Sequence, residues 1–168
     1  ISRDNKYKAT MTSEYVRNLV RAAPLHDIGK IGINDSILLK GESLSKEEFE
    51  QMKKHTIIGG EVLQNVLEGI KDVDFLSIAK DMALFHHERW DGTGYSLGLS
   101  GEDIPLCARI LSIVDVYDAL TAKRPYKEPF SHDNAIKIIL DGSGTFFDPS
   151  LIDIFIKIED NVFKCYIQ

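Results

Sequence analysis

The chain has little cysteine, no long apolar run and no excess of basic charge. Its two cysteines, Cys107 and Cys165, lie far apart among 168 residues. They have no metal-ligand spacing, so neither a disulfide framework nor a zinc finger is expected. No stretch approaches the ~18 consecutive apolar residues of a membrane helix. The polar start, ISRDNKYK, is not a signal peptide. The net charge of −6 argues against a nucleic-acid polymer as partner, although it leaves room for a small anionic ligand in one basic pocket. With 43% apolar and 27% charged residues, the composition is that of a soluble globular chain, and the length suits one domain. A cytoplasmic location without membrane contact is the matching expectation.

What the sequence does have is helix signals. Thr12 or Ser13 can cap a helix from about Glu14 towards His26. Ser45 and Glu48 have capping-box spacing, and the helix after them carries Gly59 and Gly60 inside it, which predicts a kink or a close helix contact. A third helix is expected over about 77–87. The Gly- and Asp-rich stretch WDGTGYSLGLSGEDIP reads as loop. Residues 104–120 are apolar almost all round, which predicts a central buried helix. Two more helices are expected near 132–140 and 149–158. No pair of strands has convincing alternation, so the expected fold is an all-α bundle.

Several polar residues fall where apolar ones belong. His26 and Asp27 follow the first apolar stripe. His55 lies three residues after Met52, and His86 lies four after Met82. His87 is turned about 100° from its neighbour. Asp115 sits inside ILSIVDVYDALT, with Asp118 three residues on, nearly on the same face. Alone, each has an ordinary explanation: a cap, a hydrogen-bonded core histidine, a solvated acid. Together His26, Asp27, His55, His86, His87 and Asp115 are six nitrogen and oxygen ligand candidates on inward faces of four helices. Buried carboxylates and imidazoles need partners. Imidazole and carboxylate without thiolate suit iron, manganese, nickel or zinc. Six ligands exceed one tetrahedral zinc, so two metals are expected.

The ordered motifs are His26-Asp27-Ile28-Gly29-Lys30, then His55, HHERWDGTGY at 86–95, DVYDALTAKRPYK at 115–127 and GSGTFFDP at 142–149. This series resembles the HD-GYP family, a bacterial branch of the HD-domain metal-dependent phosphohydrolases. The resemblance runs from about residue 22 to 156. It implies an HD-domain helical bundle around two or three metals, commonly iron or manganese, and hydrolysis of cyclic di-GMP to pGpG and on to GMP. Some members act on cyclic GMP-AMP. Position by position, it implies that the six ligand candidates bind metal, with Asp27 as the bridging carboxylate. Asp27 and Lys30 would be catalytic, with Lys30 near the scissile phosphate. Lys30, Tyr95, Asp118, Arg124 and Lys127 would contact the substrate.

The sequence departs from the family at two places. Ser96 stands where the signature has proline, which would fix φ and stiffen the loop. No histidine precedes His26, whereas the family's first helix carries one and, in trimetal members, a glutamate. The expected organisation is therefore one HD-GYP domain over 1–168, with its first helix lacking or not shown or else without that helix's ligands, serving as the output module of a longer signalling protein. A diguanylate cyclase of the GGDEF type is its expected protein partner. Two other readings carry weight: a catalytically weak module that binds cyclic dinucleotide or a protein, and an HD phosphohydrolase acting on another nucleotide.

Overall fold

A computed structural model describes residues 6–70, 74–123 and 128–166. Helix α1 spans Ser13–Ala22, α2 Asp35–Leu38, α3 Lys46–Gly69 and α4 Asp74–Phe85. Helix α5 spans Leu106–Thr121, α6 His132–Asp141, α7 Pro149–Ile156 and α8 Glu159–Tyr166. Among the described residues, β pairing is limited to a single bridge between Ser143 and Phe147, so the all-α expectation holds. None of the described helices is long and apolar enough to cross a membrane.

The helix starts follow from local chemistry. The Thr12 hydroxyl accepts the Tyr15 amide at 3.1 Å. Ser45 and Glu48 form the complete capping box, satisfying two amides that no helical carbonyl can reach. Helix α1 is shorter than expected because Pro24 cannot continue it: the ring has no N–H and would clash with the carbonyl one turn back. The chain tightens instead into a 3-10 turn at Ala23–Leu25, which ends at His26. A second 3-10 turn covers Ile28–Gly32. Asp27 lies between the two turns. At the C-terminal end, α7 stops at Ile156, earlier than expected, and α8 follows where no helix was expected.

Two cores meet at α5. Cys107 and Leu111 pack with Ala22, Leu63, Leu76, Ala79 and Met82 from α1, α3 and α4. Ile113 and Tyr117, further along α5, pack with Ile136, Ile139, Leu151 and Phe155 from α6 and α7. Helix α5 is apolar on both flanks because it serves two cores, not because it is enclosed. Val114 is 53% exposed and Asp118 faces solvent, which corrects the expectation of a helix buried all round.

Helix α3 approaches its neighbours through Gly59 and Gly60 as a close contact. A Cβ on Gly29 would lie 1.9 Å from the His55 carbonyl oxygen and 2.4 Å from the Gly59 nitrogen. The 28–32 turn therefore packs backbone to backbone on α3. That contact sets Asp27 beside His55.

Candidate metal centre

The centre is built from four places in the chain: the junction between the two 3-10 turns, the first half of α3, the turn just after α4, and the middle of α5. Three histidines are fixed in the same way. Nδ1–H of His26 donates to the Ala23 carbonyl at 2.7 Å, that of His55 to Met52 at 2.7 Å, and that of His86 to Met82 at 2.9 Å. A carbonyl can only accept, so each neutral ring holds its proton on Nδ1 and presents the Nε2 lone pair inward. This is the outer hydrogen bond that orients a metal-ligating imidazole.

The inward atoms converge on Asp27. Oδ1 lies 3.5 Å from His55 Nε2 and 3.8 Å from His86 Nε2, and Oδ2 lies 3.3 Å from His26 Nε2. Lys30 Nζ donates to Oδ2 at 2.5 Å. The Nε2 atoms of His55 and His86 are 3.5 Å apart. Two lone pairs facing each other repel unless a cation lies between them. Asp27 Oδ1 is buried and has no hydrogen-bond donor. Two ligand triads emerge, His55-His86-His87 and His26-Asp27-His86, sharing His86. Asp115, from α5, approaches from the other side, with Oδ1 3.8 Å from His26 Nε2.

At three of the four histidines burial opposes protonation. Burial depresses the His86 imidazole to about 4 and His87 to about 3, and it lowers His55 as well. His26 is raised, chiefly by its hydrogen bond to Asp27. Burial alone would lift the Asp27 carboxyl, but His26 and Lys30 outweigh it and hold the group well below the usual range. Burial lifts Asp115, with His26 opposing. The donor set, the orphaned Oδ1 and the facing nitrogens all fit metal binding. All six predicted ligands lie together.

Beside the centre is a cleft of about 330 Å³ with His86 and His87 on its wall. Tyr95 lines it, its ring 4.8 Å from that of His87. Three residues of this cleft carry no metal-ligand signal and escaped the sequence reading: Lys53, Arg89 and Phe146. The Arg89 guanidinium lies 3.3 Å from the centre of the Phe146 ring. Only the motif context of Arg89 and Phe146 hinted at them. Lys53 Nζ lies 5.5 Å from the Tyr95 ring centre. Asp118 is exposed, one turn beyond Asp115, and is not part of the buried cluster. Arg124 and Lys127 lie outside the described residues.

Residues 3–151 match the model of the HD domain family. The chain belongs to that family. Its motifs place it in the HD-GYP branch. It is 48% identical over 155 residues to a cyclic di-GMP phosphodiesterase of Vibrio cholerae, covering 92% of this chain and 32% of that protein. It is 42% identical over 156 residues to a cyclic di-GMP phosphodiesterase of Thermotoga maritima, covering 93% of this chain and 41% of the other. A 3'3'-cGAMP-specific phosphodiesterase of Vibrio cholerae is 40% identical over 136 residues, 81% of this chain and 25% of its own length. The HD chain thus spans about a third of the curated relatives it matches. A crystal structure of a cyclic GMP-AMP-specific phosphodiesterase from the same species superposes with a TM-score of 0.57 at 19% identity, over 93% of this chain and 41% of that one. That likeness shows the fold.

Proposed function

We propose that this HD domain is a metal-dependent phosphodiesterase that opens cyclic di-GMP to linear pGpG. The carrying observation is the pair of ligand triads around Asp27, whose buried Oδ1 has no hydrogen-bond partner. His26, Asp27, His55, His86, His87 and Asp115 would hold two divalent transition metals, iron or manganese by the resemblance. Such ions, when bound, supply a nucleophile at neutral pH and neutralise charge on the phosphate.

The chain's own residues do the rest. The Nδ1–H bonds to helix carbonyls keep three imidazoles oriented, so the site costs little reorganisation. Asp27 offers both carboxylate oxygens to the centre. Lys30, at its rim, brings a positive charge to a non-bridging phosphate oxygen. Tyr95, Lys53 and Arg89 give the adjoining cleft an aromatic and cationic wall, suited to an anionic nucleotide. Arg124 and Lys127 are proposed as contacts to the second phosphate, and Asp118 as an outer contact to a base. By the resemblance, a further proposal is that the domain is the output module of a longer cytoplasmic signalling protein working against a GGDEF cyclase.

The test is turnover by the manganese- or iron-loaded protein. Wild type is expected to release pGpG from cyclic di-GMP. Asp27→Asn should lose most of the bound metal by elemental analysis and lose pGpG production entirely. A metal-loaded wild type that binds cyclic di-GMP without cleaving it would make the domain a binding module instead. An active, metal-free protein would refute the metal reading outright.

A further inference from the structure

The loop that carries Tyr95 lines the cleft beside the metal centre, and it is pinned at four points. The Tyr95 amide donates to the His87 carbonyl at 3.1 Å. The Ser96 hydroxyl donates to the Leu84 carbonyl, in the last turn of α4, at 2.9 Å. The amides of Leu97 and Gly98 both donate to Glu88 Oε1, at 2.6 and 3.0 Å. Glu88 is only 3% exposed. Gly94 admits no side chain: a Cβ there would lie 2.4–2.6 Å from backbone atoms of residues 87–89. Leu84, in the last turn of α4, and Glu88 lie on either side of the two histidines that follow the helix. The same short segment therefore holds both the ligands and the loop facing them.

We infer that Glu88 and Ser96 are positioning residues that hold Tyr95 against His87, setting the wall of the cleft before any substrate arrives. The family signature stiffens this position with a proline. In this chain a side-chain hydroxyl, bonded to the last turn of the helix that leads into His86 and His87, ties the loop down instead. Glu88 supplies the second tie. A carboxylate that accepts two amides from consecutive residues fixes the backbone direction as well as its distance. The kinetic consequence rests on the phosphodiesterase reading; the tie itself does not.

The experiment uses the manganese-loaded protein and two readouts. The first is amide hydrogen exchange at Leu97 and Gly98. Glu88→Ala should speed it by roughly tenfold or more, the scale of one lost hydrogen bond to a charged group. Glu88→Gln keeps an accepting oxygen and should stay near wild type. The second readout is kinetic. Ser96→Ala should raise KM for cyclic di-GMP roughly five- to tenfold. Its rate on bis(p-nitrophenyl) phosphate, a diester too small to need the Tyr95 wall, should not change. Ser96→Thr restores a hydroxyl and should restore KM. Unchanged exchange in Glu88→Ala, an unchanged KM in Ser96→Ala, or equal losses on both diesters would overturn the inference. If wild type cleaved neither diester, the phosphodiesterase reading would fall, and the exchange result would still decide whether Glu88 ties the loop.

Discussion

At the scale of single residues, the centre is a set of groups that would be poor choices for a stable core. His86 and His87 are kept neutral by burial, at about 4 and about 3. In the unfolded chain both protonate near the ordinary histidine value of ~6.5. Below that pH the unfolded state binds more protons than the folded one, so stability falls with falling pH. Their contribution to the metal-free protein should be fully present above about pH 6.5 and decline steadily towards pH 4. Urea melts of chelator-treated protein at several pH values would measure this, and a flat profile across that window would contradict the burial argument. His86 and His87 were legible in the sequence because adjacent imidazoles at a buried helix end need an explanation. Glu88 was not. Its role depends on two amides nine and ten residues ahead, and a glutamate beside a loop has no pattern of its own.

At the scale of elements, the caps and apolar stripes located six of the helices, and glycine spacing foretold the contact between α3 and its neighbours. Three features were missed: α2 is a single turn, too short to show a periodicity, and the other two have their own reasons. Pro24 does mark the end of α1, but the apolar pattern runs on to Leu25 and hides it. Helix α8 is eight residues long, with Glu159 and Asp160 in its first turn, too short for an apolar stripe to stand out. The turn at Ile28–Gly32 gives the sharpest test. Gly29→Ala forces a side chain into the α3 backbone, and neither side can yield as a flexible side chain would. The cost should exceed the ~1–3 kcal/mol usual for overpacking. The variant is expected to lose metal binding by elemental analysis even where circular dichroism still reports helix, because Asp27 and His55 separate first. A Gly29→Ala protein with full metal content would show that the close contact does not set the site.

At the scale of the whole molecule, one buried acid joins distant parts of the chain. Asp148 is 1% exposed. Its Oδ2 accepts from Arg109 of α5 at 2.7 Å and from the Tyr7 hydroxyl at 3.2 Å, while Oδ1 caps α7 through the Ser150 amide at 2.8 Å. Asp148→Ala would leave the Arg109 charge buried without its partner, a loss on the order of 3–5 kcal/mol. For a chain of this size that should lower Tm by roughly 10 °C, measurable by calorimetry. A shift of only a degree or two would mean that water replaces the carboxylate. Asp148 is legible in the sequence as part of the GSGTFFDP motif, but nothing in that motif shows what it joins. The sharing of α5 between the two cores has a consequence of its own. Neither group of helices has a complete interior without that rod, and Asp115 sits on it between Leu111 of one core and Tyr117 of the other. The halves cannot melt in turn; the ligand cage and the C-terminal helices belong to one cooperative unit, and whatever loosens α6 or α7 reaches the metal-binding side as a loss of the common wall.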